Sequence, residues 1–235
     1  MAPGRPVTAG ERETGSRVDF LAAVRSAVAT PHGHPTRPIA PLPSPLPHVA
    51  YAASPDDNLV GSFSDALTAL GGVVRRVDSF YAHVGLIADA LVLARTDAGR
   101  PVRVVLTAEP ECAGIAALLA GRDDVEVLDY DNAASVATAD LGITGARAAV
   151  ALTGSVVVDA GRAGGRTVSL LPPVHLALVR AEVIVATPGE SWRAMAEPMA
   201  SNVVQITGPS RSADIELIIT LGVHGPRALM VGVLG

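Results

Sequence analysis

Four segments in the second half of the chain combine hydroxyls, glycines, arginines and histidines at spacings that can do chemistry. The first is Ala139-Asp-Leu-Gly-Ile-Thr144, followed by Ala151-Leu-Thr-Gly-Ser155: two apolar runs with hydroxyls and glycines at their ends. Strand ends of this kind are where ligands sit on α/β sheets. Gly154 permits close backbone approach to a ligand, and Thr144, Thr153 and Ser155 can donate hydrogen bonds. A plain hairpin with Thr-Gly-Ser as its turn or bulge is the competing reading. The second segment runs from Asp159 to His175. Its glycines, with Arg162 and Arg166, suit a cationic loop that clamps an anion, or equally a solvated surface loop. Leu170-Leu-Pro-Pro173 then sets a rigid turn into the strand that carries His175, a candidate proton carrier or a structural histidine.

The third segment is Thr207-Gly-Pro-Ser-Arg-Ser-Ala-Asp-Ile-Glu216. A strand ends, Gly208 and Pro209 turn the chain, and a helix is expected over 211–222. The free N–H groups and dipole of such a helix would bind an anion, with Ser210, Arg211 and Ser212 as further donors. Ordinary capping by Ser210, with Asp214 near the helix start, explains the same residues. The fourth segment, Gly222-Val-His-Gly-Pro-Arg227, places His224 and Arg227 around a Gly-Pro turn. The candidate catalytic groups are therefore His175, His224 and Asp214. Thr144, Thr153, Gly154, Ser155, Gly208, Ser210, Arg211, Ser212 and Arg227 are the candidate ligand-binding residues.

Composition removes several chemistries. All 18 basic residues are arginine, so there is no lysine for a Schiff base or for a P-loop. One cysteine, Cys112, allows no internal disulfide, no CxxC pair and no iron–sulfur or zinc site built from the chain's own thiols. No GxGxxG, HExxH or Gly-x-Ser-x-Gly motif occurs, and a metal site at His32-Gly-His34 is not expected. A net charge of −5 without a basic run argues against nucleic acid. No long apolar run predicts a membrane span, and Met1 to Arg17 lacks the apolar stretch of a signal peptide. The expected compartment is the cytoplasm.

The elements that must position these residues read as follows. Residues 1–15 are expected to be a disordered tail, 16–29 a short helix with Val18, Leu21, Val24 and Val28 on one stripe, and 30–57 a proline-rich arm. From 58 to 235 strands and helices alternate. Helices are expected at 58–70, 80–95, 110–119, 132–138 and 191–198. Strands are expected at 73–77, 102–107, 125–128, 203–207 and 228–234. Short β-rich runs at 139–143, 148–152, 155–159 and 175–180 suggest an antiparallel insertion or edge. The expected fold class is α/β: a Rossmann-like parallel sheet, helices on both faces, and an added β region.

Together the motifs Asp140-Leu-Gly-Ile-Thr144, Thr153-Gly-Ser155, Ser169-Leu-Leu-Pro-Pro-Val-His175, Gly208-Pro-Ser-Arg-Ser-Ala-Asp-Ile-Glu216 and Gly222-Val-His-Gly-Pro-Arg227 resemble the LUD-domain family, within it the lactate utilization protein C group. The resemblance covers roughly 58–235. It implies a NagB/RpiA/CoA-transferase-like fold. It also implies a role in oxidising L-lactate to pyruvate beside partner proteins that carry the iron–sulfur clusters. The leading expectation is an accessory subunit that binds a small anionic ligand at the start of the helix expected from Ser210. One departure stands out: family members usually read Ala-Glu-Thr-Gly-Thr where this chain has Ala151-Leu-Thr-Gly-Ser155. Leu152 in place of glutamate favours a binding or assembly role over a self-contained catalyst. The alternatives are an independent enzyme of the same fold class, acting on a sugar phosphate, a CoA thioester or a folate, and a non-catalytic ligand-binding scaffold. Turnover by the purified chain alone would identify the enzyme, and growth that survives loss of Arg211 and His224 would identify the scaffold.

Overall fold

The computed structural model describes residues 17–29, 58–97, 99–161, 166–195, 202–213, 219–222 and 224–235. The chain divides into two compact units, Met1–Tyr51 and Ala52–Gly235. In the first, helix α1 (Arg17–Ala29) lies where the sequence places it. Val18, Phe20, Leu21 and Val24 on it are exposed. The expected tail over 1–15 and arm over 30–57 lie outside the described residues.

The second unit is built on a six-stranded, wholly parallel sheet. Its strands are β1 (Val73–Val77), β2 (Val102–Leu106), β3 (Val125–Leu128), β4 (Leu141–Gly145), β7 (Val174–Arg180) and β12 (Ala228–Leu234), in the order β1-β12-β7-β4-β2-β3. The central strands are runs of Val, Leu and Ile because both faces of a parallel sheet are covered. Helices α3 (Phe80–Ala94) and α4 (Pro110–Leu119) cover one face, where Leu86, Leu91, Ile115 and Leu119 meet Val104, Ile143, Leu176 and Leu178. On the other face, Phe63 and Leu67 of α2 (Leu59–Ala69) pack on Ala177, Val179 and Val231. Short helices α5 (Ala133–Val136) and α6 (Thr167–Leu170) close the rest of it, with Val136 and Val168 against Val105.

Local chemistry sets the boundaries. Asn58 accepts the Gly61 N–H at 3.0 Å and starts α2. Gly71, at φ 86°, ends it in the left-handed region that favours glycine. Ser79 accepts the Ala82 N–H and starts α3. Pro110 opens α4, where its missing N–H costs no hydrogen bond.

The added β region is a four-stranded sheet of β8 (Ile184–Val185), β5 (Ala148–Val150), β6 (Ser155–Asp159) and β9 (Val203–Ile206). Strand β6 runs antiparallel to β5 and to β9, whereas β5 and β8 are parallel. The β-rich texture after residue 139 therefore divides between two sheets. The strands at 141–145 and 174–180 belong to the central one. The strand at 203–206, expected to continue the alternation, joins the smaller one. Helix α7 (Pro188–Ala194) follows β8 with a capping box, Glu190 reaching back to the Thr187 N–H.

One element differs outright. The helix expected over 211–222 is absent; Arg211–Ala213 (β10) and Ile219–Leu221 (β11) pair as an antiparallel hairpin. Ile219 and Thr220 are β-branched and stiff at χ1, which favours a strand. The ends of the hairpin are also held by backbone bonds that a helix could not make. Gly222 N–H donates to Ser210 O at 3.1 Å, and Ser210 N–H to Pro226 O at 2.8 Å. Among the described residues no helix is long and apolar enough to cross a membrane.

Candidate functional site

Parts of all four sequence segments meet at the N-terminal end of the central sheet. Arg227, just before β12, donates its N–H to Pro173 O, just before β7, at 2.9 Å. Ser155 Oγ lies 2.7 Å from Thr153 Oγ1 and 2.8 Å from Thr207 Oγ1, so three hydroxyls form a chain, the second link of which joins residues 52 apart in sequence. Ser155 is fully buried. It orients Thr153, which is half-buried, and Thr207, which is exposed. Gly208, at φ 83°, packs on Leu70 at the end of α2. Ser210 is bonded through its backbone to both Gly222 and Pro226, which draws the exposed His224 and Arg227 onto the same surface. That surface carries two side chains suited to an anion, an imidazole and a guanidinium, beside two oriented hydroxyls.

Several expected roles change with the geometry. Because residues 211–213 are a strand, no helix N-terminus points at Ser210, and anion binding there must come from side chains and loop N–H groups. Arg211 Nη2 donates to Leu70 O at 2.5 Å. It therefore binds the carbonyl end of α2, where a cation is favourable. Gly154, at φ 61°, does permit close approach, but what approaches is α2: a Cβ there would collide with the Leu67 backbone. The Thr-Gly-Ser turn is thus a packing joint as well as a source of hydroxyls. Leu152 lies half-buried in the same turn, its N–H donating to Ala186 O at 3.1 Å. Asp214, Arg162 and the side chain of Ser212 lie outside the described residues.

Thr144 and His175 are not part of that surface. Both are fully buried in the central sheet, and Thr144 Oγ1 lies 2.9 Å from His175 Nε2. His175 Nδ1 has no hydrogen-bond partner. Burial lowers its pKa to about 4, so the imidazole is neutral at physiological pH. A proton carrier that never meets solvent suits a core residue better than a catalyst. Nearby Gly142 is required by packing, since a Cβ would collide with the Val168 carbonyl.

Asp140, which opens the motif Asp140-Leu-Gly-Ile-Thr144, is anchored at both carboxylate oxygens. Arg100 holds both its oxygens at 2.7 Å, and the Arg103 N–H donates to it at 2.9 Å. Burial raises its pKa, but the Arg100 and Arg103 bonds outweigh that and hold it below the usual carboxylate value. It ties the starts of β2 and β4 together. Cys112 is buried in α4. Burial pushes its thiol up to about 11 against an opposing Thr107 hydrogen bond, which makes it a poor nucleophile and a poor metal ligand at neutral pH. Among the described residues no three His, Cys, Asp or Glu side chains converge on a metal position.

A LUD-domain profile matches residues 113–234, the stretch that holds the hydroxyl chain, the hairpin and the Gly-Pro turn. The chain belongs to the LUD-domain family. Lactate utilization protein C of Deinococcus radiodurans is 31% identical over 94% of this chain and 96% of its own length. Lactate utilization protein C of Bacillus licheniformis is 29% identical over 76% of this chain and 79% of its own length. A crystal structure of a DUF162 family protein from Deinococcus radiodurans superposes with a TM-score of 0.54 at 28% identity, over 75% of this chain and 96% of that one. The LUD profile begins inside α4 and ends in β12, so it takes in all of the gathered surface.

Proposed function

We propose that this LUD-domain chain serves in L-lactate utilisation, as an accessory component in the oxidation of L-lactate to pyruvate. The observation that carries this reading is 31% identity, across nearly the whole of both chains, to a protein named lactate utilization protein C. The redox centres would be iron–sulfur clusters in partner proteins. The chain's single thiol is buried with its pKa pushed up to about 11, which suits no cluster of its own.

The chain's own contribution would be a small anionic ligand held at the N-terminal end of the central sheet. Arg227 would pair with the anion, His224 would donate to it or exchange a proton, and the Thr153 and Thr207 hydroxyls, oriented by Ser155, would complete the site. Arg211 would support the site indirectly by fixing α2 against the hairpin. Leu152 offers no carboxylate nucleophile in the Thr-Gly-Ser turn, which fits binding better than a covalent step. Deleting the gene and growing the strain on L-lactate as sole carbon source tests the role. Loss of growth, restored by the intact gene, is expected; undiminished growth contradicts it.

A further inference from the structure

At the opposite end of the central sheet lies a crevice with a different chemistry. The chain leaves β2 outward through α4 on one face, forms β3, and returns through α5 on the other face to β4, on the far side of β2. The connections after β2 and β4 therefore diverge. In open parallel sheets, ligands bind outside the carboxyl ends of the strands at such a switch point.

Two adjoining cavities open there, and Ala108 and Glu109 line both. One, about 280 Å³, is an apolar alcove of Leu106, Ala113, Ala116 and Tyr130 between the ends of β2 and β3. The other, about 390 Å³, is charged and holds Glu111, Gly145, Arg147 and Arg180 at the ends of β4 and β7. Each is close to the size range of small-ligand sites, and lactate would fill neither.

The crevice presents three kinds of group in sequence. The alcove offers small side chains and one aromatic ring, a wall for a planar apolar group. Glu109 stands at the shared rim. Its Oε2 accepts from the Thr107 hydroxyl at 2.5 Å and the Gly145 N–H at 2.6 Å, which fixes the carboxylate in place. A carboxylate is the acceptor that vicinal hydroxyls need. At the far end, Arg180 pairs with Glu111 at 3.0 Å and Glu182 at 3.5 Å. Arg147 enters no ion pair among the described residues, its hydrogen bond being to Ala194 O at 3.5 Å. A guanidinium in that state is suited to an incoming phosphate or carboxylate. Gly145 keeps the passage open, since a Cβ there would sit 3.0 Å from Glu111 Oε2 and 3.1 Å from Glu109 Oε2.

We propose that this crevice binds a nucleoside monophosphate, with the base in the Tyr130 alcove, the ribose hydroxyls on Glu109 and the phosphate on Arg147. The order of apolar wall, carboxylate and guanidinium matches the order of base, diol and anion along such a ligand. This site is separate from the surface proposed for lactate utilisation, and neither depends on the other.

Isothermal titration of the full chain with adenosine monophosphate tests it, with ribose 5-phosphate as the baseless comparison. Saturable binding with a Kd below about 1 mM is expected. Ribose 5-phosphate should bind at least about tenfold more weakly. Ala113→Trp, on an exposed position of α4, should block the alcove. Arg147→Gln should remove the anion contact. Each should weaken adenosine monophosphate at least about tenfold while circular dichroism stays that of the parent. Absence of saturable binding overturns the proposal. So does equal affinity for ribose 5-phosphate, or binding that a folded variant of either kind leaves unchanged.

Discussion

Residue chemistry gives two tests that read the buried polar groups directly. His175 has its pKa lowered to about 4 by burial, against 6.5 for an unperturbed histidine. Below pH 6.5 the unfolded chain therefore binds a proton that the folded chain refuses. Stability from this group is complete above that value and is lost as pH falls toward 4, by up to roughly 3 kcal/mol. Urea unfolding across this window should show the slope, and His175→Gln should flatten it; an unchanged slope would mean that the imidazole is not held neutral. Asp140 acts in a lower window. Its carboxylate titrates below 3.8 when folded, so its contribution is present above that value and is lost only below it. Asp140→Asn should cost roughly 1–3 kcal/mol at neutral pH, discounted because Arg100 is 38% exposed. The measurement is the urea midpoint. Residue type alone could nominate Thr144 and His175 as chemistry, but not reveal that they are bonded to each other beneath α6. That depends on β4 lying beside β7, a long-range pairing that local sequence does not encode.

Among the elements, those bounded by punctuation were legible. Asn58 and Gly71 bracket α2, Pro110 opens α4, and valine-rich runs give β1, β3, β6 and β12 their full extents. The hairpin of β10 and β11 departs from the helix that the sequence suggests, because a short apolar run following a capping-like Ser-Arg-Ser-Ala-Asp fits either period. Its β-branched residues and its closure by Gly222 and Pro226 decided the outcome. The joint between the Thr-Gly-Ser turn and α2 yields a prediction at this scale. Gly154→Ala must adopt φ near 61° and press on the Leu67 backbone. It should cost roughly 2–4 kcal/mol and lower the melting temperature without changing the circular dichroism spectrum at 25 °C. Arg211→Ala removes a guanidinium from the α2 carbonyl end. It should cost only about 0.5–1 kcal/mol by thermal melting. A larger effect on ligand binding than on stability would instead put Arg211 in the site itself.

Across the whole molecule, the α/β class followed from the alternation of strand and helix, and the added β region from the change of texture after residue 139. What the sequence could not supply was the order β1-β12-β7-β4-β2-β3, and with it the two ends of the sheet. Segments around 153, 207 and 224 were legible as candidates, and the fold brings them onto one surface. The Glu109-Pro-Glu111 corner carried a readable signal, carboxylates directly after a strand, but Arg180, which pairs with Glu111, comes from the distant end of β7, and Arg147 from the turn after β4. The central claim is that the gathered surface serves lactate utilisation. It is tested most directly by complementing a deletion strain on L-lactate with His224→Ala and Arg227→Ala, each checked for normal folding and abundance. The account predicts that the intact gene restores growth and that the double variant does not. Full growth with the double variant would contradict it.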